Sequence, residues 1–314
     1  MLPDQRSLHD RDIEDDCSMA IERQRRRFRA CCPSLYFISQ FFLWRVLGVA
    51  MKCFFLCIFF CVFFYTYAVA VPYETLYKSE LTLIVLGGFG MYLFGCVLFY
   101  FFMASLSSPG SPLPNIARYP MCSVCKTYKP SGVHHCSACG ICVLKMDHHC
   151  VWMNQCIGAR NHRYFLQFLG YLSFGMIFLL SAAFNTVYNN MTVNDYSYCT
   201  VDLSDFTAWE YLCKSDGTVM NLTFFIVMLS ATLIILIGGF FIWNCFLVSF
   251  GTTYVDCLQN LIMNGRRFPR LPSKQEVISN WKVFLGLAED RSFWSHILLP
   301  SLHVSEDYCN DLPH

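Results

Sequence analysis

The chain has 314 residues, of which 55% are hydrophobic, 17% aromatic and 14% charged, with a formal net charge of +1. Ordinary soluble domains carry about 25% charged residues. The composition therefore excludes a plain soluble globule and turns attention to long apolar runs.

Residues 1–52 read as a polar tail. Charge is spread over positions 1–30 in place of a basic start followed by a short apolar run, so no cleavable signal peptide is expected. The run Arg23-Gln-Arg-Arg-Arg-Phe-Arg29 suits contact with anionic lipid; its plainer reading is a solvated charged stretch. It is too short to make nucleic acid an expected partner. Cys31 and Cys32, just ahead of the membrane, are either acylation sites or ordinary thiols.

From Cys53 to Val71 the sequence has no charge, a length of about 28 Å as a helix, close to the ~30 Å hydrocarbon core of a bilayer. Comparable runs follow at Leu81–Ala104, Tyr164–Phe184 and Leu222–Phe250. Buried helices of soluble proteins rarely stay uncharged for so long, so four transmembrane helices are predicted: two in 53–104 and two in 164–250. Uncharged windows also argue against an ion transporter, which needs charge inside its spans.

All but Lys78 and Lys214 of the 23 lysines and arginines fall in 1–52, 105–163 and 251–314. Cytosolic segments hold the excess of Lys and Arg, so both termini and the 105–163 segment are predicted to be cytosolic. Residues 251–314 then form a cytosolic C-terminal tail. The 185–221 loop is predicted to be lumenal, and it contains five acidic residues, the glycosylation pattern Asn190-Met-Thr, and Cys199 and Cys213, which can pair in an oxidising compartment. Asn221-Leu-Thr is a second sequon, placed too near the fourth span to expect modification.

Of the 19 cysteines, those within the spans, such as Cys57, Cys61, Cys96 and Cys245, read as small apolar packers. Seven others crowd into the cytosolic segment at 122, 125, 136, 139, 142, 150 and 156. In a reducing compartment, metal or catalysis is favoured over a disulfide framework. Cys122-Ser-Val-Cys125 is one C-x-x-C, and Cys136-Ser-Ala-Cys139-Gly-Ile-Cys142 is two overlapping ones. This turn lets two thiolates reach one tetrahedral zinc ion. Five histidines, His134, His135, His148, His149 and His162, lie among or beyond them. A thioredoxin-like redox site is disfavoured, because no βαβ pattern surrounds the motif.

Two closed sites, each of three cysteines and one histidine, would leave one thiol over. Cys150 belongs to no C-x-x-C and follows Asp147-His148. A thiol has a pKa of about 8.5, and a neighbouring imidazole that takes its proton makes it a nucleophile. A carboxylate bonded to that imidazole fixes its tautomer. Spacing alone leaves open whether Cys150 plays this part or is one more ligand of a structural cluster.

The run C-x-x-C, then His134-His135-Cys136-x-x-C-x-x-C, then Asp147-His148-His149-Cys150, then Cys156, between the second and third of four spans, resembles the DHHC protein S-acyltransferases (palmitoyltransferases). The resemblance implies an all-α integral membrane protein with a small cytosolic zinc-binding domain between helices 2 and 3. It implies one structural zinc on Cys122, Cys125, His135 and Cys142, and a second on Cys136, Cys139, His149 and Cys156. Cys150 becomes the acylated nucleophile, His148 its general base, and Asp147 the residue that orients His148. Palmitoyl-CoA or another long-chain acyl-CoA is the implied co-substrate. The implied partners are the lipid bilayer and membrane-associated proteins with cytosolic cysteines, in the endoplasmic reticulum or Golgi.

Ser108-Pro109-Gly110 resembles the family's Asp-Pro-Gly element, with serine for aspartate. Thr253-Tyr-Val-Asp256 resembles its Thr-Thr-x-Glu element and is equally a helix N-terminal capping pattern. Tyr254, Val255, Leu258, Leu261 and Ile262 continue as a helical apolar stripe up to Asn264-Gly265. Asn280 to Gly286 and Leu298 to Ser301 resemble the Abl-philin branch, in which an asparagine at the position of Asn280 docks the tail. Two departures stand out: Val151 replaces the proline usual after Cys150, and Gly132 replaces a common arginine. Lys126, Lys129, Lys145, Arg160 and Arg163 are then the cations available for coenzyme phosphates. The competing class is a non-enzymatic zinc-finger scaffold or ubiquitin-ligase adaptor, for which a surplus thiol has no use.

Overall fold

A computed structural model describes residues 33–112, 119–192, 217–263, 270–287 and 297–302. The basic run 23–29, Cys31 and Cys32, and Cys199 and Cys213 lie outside these residues.

Among the described residues, four helices are long and apolar enough to cross a membrane. The first, α1 (Pro33–Tyr65), passes through a π-helical turn, Thr66–Ala70, into a last turn, Val71–Glu74. Pro72 lies in that last turn, where a missing N–H favours a local shift of register. The others are α2 (Glu80–Leu106), α3 (His162–Ala182) and α5 (Thr218–Ser249), with a short helix α4 (Phe184–Thr192) between the last two. Their outer faces are apolar and open, as at Leu81, 71% exposed, and Ile235, 72% exposed, which suits lipid as solvent. Inward, aromatic pairs join the helices. Phe55 of α1 stacks on Phe101 of α2 at 4.5 Å, and Phe59 on Phe94 at 4.8 Å. The Tyr65 hydroxyl donates to Thr223 Oγ1 of α5 at 3.0 Å.

Between α2 and α3 the described residues form two small antiparallel hairpins. β1 (Val133–Cys136) pairs with β2 (Ile141–Leu144), and β3 (His148–Cys150) with β4 (Gln155–Ile157). After α5 come α6 (Tyr254–Met263) and α7 (Lys274–Leu285), the latter started by a Ser273–Glu276 capping box and stopped at Gly286, φ 67°. Asn280 Nδ2 donates to the Ser249 carbonyl at 3.0 Å, and the Trp281 indole to Ser249 Oγ at 3.0 Å, so α7 hangs on the end of α5.

Three sequence expectations change. The first helix does not start at Cys53: it runs from Pro33 through Arg45 and Lys52, because a lysine ends a hydropathy window but not a helix. The 185–221 loop is helical at its near end, where Asn190 lies on α4 with 8% of its surface exposed. A side chain so covered is no acceptor for a glycan in this fold. Third, charge is present in the bundle. The Glu74 carboxylate, only 2% exposed, ends the first span three residues beyond the uncharged window.

Glu74 is fully satisfied. One oxygen accepts from the Thr186 N–H at 2.8 Å and the Thr186 hydroxyl at 2.9 Å; the other accepts from Asn185 Nδ2 at 2.9 Å and from the Lys78 ammonium. Lys78 also donates to the Ala182 carbonyl at the end of α3, at 2.6 Å. A buried carboxylate with so many donors ties α1, α3 and α4 together at the far side of the bundle. Glu74→Ala leaves Lys78 and the Thr186 N–H without their acceptor, so a loss of about 3–5 kcal/mol is expected in SDS-titration unfolding of the detergent-solubilised protein. Glu74→Gln should lose less.

Candidate metal centres and active site

The site is built on the end of α2. Its last carbonyls have no helical partner, and the cysteine-rich segment supplies donors: Gln155 Nε2 to Ser107 at 3.1 Å and to Ala104, and Asn161 Nδ2 to Ala104 at 3.2 Å. Ser108-Pro109-Gly110 then lies along the hairpins. Leu144 N–H donates to the Gly110 carbonyl at 3.1 Å, and Arg160 N–H to that of Pro109 at 3.2 Å. The approach is close enough to require a glycine at 158, where a Cβ would sit 2.5 Å from Val143 Cγ1 and 2.7 Å from the Pro109 oxygen.

Two matching knuckles follow. In each, the backbone N–H of the second cysteine points at the sulfur of the first, Cys125 to Cys122 at 3.5 Å and Cys139 to Cys136 at 3.4 Å. Left-handed Lys126, φ 56°, and Gly140, φ 70°, turn the chain back afterwards. Strand pairing then sets His135 opposite Cys142 and His149 opposite Cys156. As a result Cys122, Cys125, His135 and Cys142 present ligand atoms within 4.8 Å of one another, as do Cys136, Cys139, His149 and Cys156. His149 Nδ1 lies 3.6, 3.3 and 3.7 Å from Cys136, Cys139 and Cys156, and His135 Nδ1 lies 3.2 Å from Cys125. Bonds of ~2.0–2.3 Å to a tetrahedral metal give ligand separations of roughly 3.3–3.8 Å, so both groups fit such an ion. The N–H of Cys125 pulls the Cys122 thiol down to about 7, while neighbouring thiols push Cys156 up. Four donors so close cannot all shed protons on their own, and a divalent ion removes that obstacle.

Strand alternation divides β3 between two tasks. Successive side chains leave opposite faces, so His149 points to the second metal group while His148 and Cys150 share the other face. Among the seven cysteines, Cys150 alone belongs to neither group. It is 6% exposed and lies in the same apolar core as Phe59, Val97 and Leu172. Asp147, 1% exposed, bonds His148 Nδ1 at 2.7 Å through one oxygen and accepts the Tyr254 N–H at 2.7 Å through the other. This leaves the far side of the imidazole free of Asp147, on the strand face it shares with the Cys150 thiol. Phe165 and Phe240 meet the His148 ring edge-on at 5.1 and 5.9 Å. Burial alone would lower the imidazole, but Asp147 and Cys150 push it up to about 9. Burial would likewise raise the Asp147 carboxyl; His162, His148 and the Tyr254 N–H hold it below its ordinary range.

Of the five histidines named from sequence, the other two bind protein. His134 Nε2 is 2.9 Å from Asp256 Oδ1, and His162, fully buried, is 3.3 Å from Asn244 Oδ1. Asp256 also takes part in the expected cap: Thr253 Oγ1 accepts its N–H at 3.2 Å and donates to its carboxylate at 3.0 Å. The start of α6 is therefore in contact with the cysteine-rich segment at both Asp147 and His134. Gly132, φ 78°, occupies a left-handed turn where arginine would be strained. Of the cations proposed from sequence, Arg163 is engaged with Ser301.

Sequence reasoning missed the wall that α1 forms over this site. Trp44 meets the His149 ring edge-on at 5.7 Å, and a Cβ on Gly48 would lie 2.2 Å from Asn154 Oδ1. Lys52, one further turn along the same face, is near enough to Cys150 for their charges to interact. The four-residue spacing of Trp44, Gly48 and Lys52 was the available signal.

The fold and these two clusters define a multi-pass membrane protein with a cysteine-rich metal-binding domain between its second and third spans. Residues 116–260 match the family model described as DHHC palmitoyltransferase. Palmitoyltransferase ZDHHC16A of Danio rerio is 28% identical over 249 residues, covering 66% of this chain and 63% of its own length. Palmitoyltransferase ZDHHC16 of Mus musculus is 30% identical over 217 residues, covering 66% and 58%. Palmitoyltransferase ZDHHC15 of Xenopus laevis is 39% identical over 146 residues, covering 46% and 37%. The chain thus spans less than two thirds of the length of these relatives. Residues 116–260 are similar to the DHHC palmitoyltransferase family, and the similar proteins include ones named ZDHHC16 and ZDHHC15.

Because Gly48 touches Asn154 directly, Gly48→Val is expected to push α1 off the site and lower stability by about 1–3 kcal/mol. Thermal unfolding in detergent checks it, and Gly87→Val, at a position with open space beside it, should have little effect.

Proposed function

We propose that the chain is a protein S-acyltransferase that moves a palmitoyl or similar long-chain acyl group from acyl-CoA to cysteines of membrane-associated proteins. One observation carries the reading: Cys150 stands outside both metal groups, on the strand face it shares with His148, which Asp147 holds. A scaffold needs no such thiol.

In the first step, His148 takes the Cys150 proton and the sulfur attacks the thioester carbonyl. The bond to the coenzyme sulfur breaks, and coenzyme A leaves as the thiol with that proton. In the second, the sulfur of a substrate cysteine attacks the acyl-Cys150 carbonyl, His148 again takes the proton, and Cys150 is released as the thiol. Asp147 keeps His148 in the tautomer that can accept from sulfur. Zinc in the two closed sites would be structural, with four protein ligands each and no open position for a water.

The acyl tail lies among the helices. A cavity of about 470 Å³ between α1, α2 and α3 is lined by Phe59, Val97, Leu172 and Met176 and extends towards Glu74. It occupies the half of the bundle remote from Cys150, as the end of a long tail requires. Each buried methylene is worth about 0.8 kcal/mol, so the tail holds the carbonyl at the bilayer surface while the nucleotide stays in water. By the distribution of Lys and Arg, that surface and both termini are cytosolic; the endoplasmic reticulum or Golgi is the proposed setting.

The decisive experiment is intact-mass spectrometry of the purified protein with palmitoyl-CoA. A hydroxylamine-sensitive palmitoyl adduct is expected on the native chain and absent from Cys150→Ser; labelling that survives the change defeats the proposal. His148→Ala should slow adduct formation about 10²–10⁴-fold. Elemental analysis should find two zinc ions per chain, with loss of one in Cys136→Ser.

A further inference from the structure

The C-terminal residues 297–302 lie in the seam between α2 and α3. Tyr171 Oη donates to the Ile297 carbonyl at 2.9 Å and reaches that of Leu298 at 3.3 Å, and Tyr92 Oη also donates to Leu298. Tyr100 Oη donates to the Leu299 carbonyl at 3.4 Å, and Gln167 Nε2 to that of Ile297 at 3.5 Å. Arg163 Nη2 closes the row on the Ser301 carbonyl at 3.0 Å and its Oγ at 3.2 Å. Every acceptor but the last is a backbone carbonyl, and five side chains of two membrane helices supply the donors.

Position along the helices gives the depth. At 1.5 Å per residue, Tyr92 is roughly 21 Å along α2 from Leu106, and Tyr171 roughly 14 Å along α3 from His162. Both lie well inside a ~30 Å hydrocarbon core. There a tyrosine hydroxyl or a backbone carbonyl without a partner is strongly disfavoured. Each solves the other's problem. Three apolar side chains turn outward, Leu298 40%, Leu299 59% and Leu302 71% exposed, while Ile297 packs beside Leu166 and Val248 and Ser301 turns in to Arg163. The one charged contact, at Arg163, sits where α3 begins, at the rim.

We propose that residues 297–302 are a re-entrant membrane element, seated in the leaflet on the side of the cysteine-rich domain, and that the α2–α3 seam is a built receptor for them that reads backbone rather than side chains. The polar residues Tyr92, Tyr100, Gln167 and Tyr171 within the spans are thereby assigned a purpose that needs no substrate.

The full-length protein in lipid nanodiscs tests this, with a spin label carried on a non-natural amino acid at position 299. Relaxation by oxygen and by a water-soluble nickel chelate is compared with labels at Ile235, on the outer face of α5, and at Leu271, outside the spans. The expected result is loss of nickel access at 299 to the level of 235; access equal to that at 271 overturns the proposal. The double change Tyr92→Phe and Tyr171→Phe should restore nickel access at 299 while leaving 235 unchanged. Continued shielding overturns the receptor role, and Tyr171→Phe alone, which removes two of the bonds, serves if the double variant does not fold.

Discussion

A strand sends alternate side chains to opposite faces, and in β3 three residues are enough for this to separate structure from chemistry. His149 turns to three sulfurs, while His148 and Cys150 turn together towards the bundle. A helix at this place would spread the three residues around its circumference at about 100° intervals, and the thiol and imidazole would part. The hairpin therefore does more than position ligands. It makes the metal group the rear support of the very segment whose front carries His148 and Cys150.

Asp147 adds the second restraint. One of its oxygens is held by His148 and the other by the backbone of Tyr254, the first residue of α6. An N–H at a helix start has no helical partner and bears partial positive charge, so it suits a buried carboxylate. The cysteine-rich segment is thus fastened to the end of the last described span as well as to the end of the second. His134 and Asp256 repeat the link a short distance away.

Much of this was legible in the sequence because the signals are local. Uncharged runs mark the spans, and C-x-x-C spacing marks the knuckles, without any knowledge of neighbours. Grouping the ligands into two sets was not legible from spacing, since it depends on which hairpin positions face each other, and there the family resemblance carried the reading. The start of α1 was obscured by Lys52, whose charge ends a window although the helix runs on. Glu74 lay just past an uncharged run, outside the predicted span; only the fold shows the donors around it. The tyrosines at 92, 100 and 171 passed as ordinary apolar bulk, because a hydropathy count does not reveal that their hydroxyls have carbonyls to meet.

The anchoring of Gln155 and Asn161 on the last turn of α2 has a consequence for how the protein encounters other molecules. With its polar side chains spent on that helix end and Gly158 pressed against Pro109, the cysteine-rich domain cannot swing out on a tether to search. It rides at a fixed height and angle above the bilayer. Under the proposed function, a substrate would have to arrive by sliding in the membrane plane with a flexible segment of its own at that level.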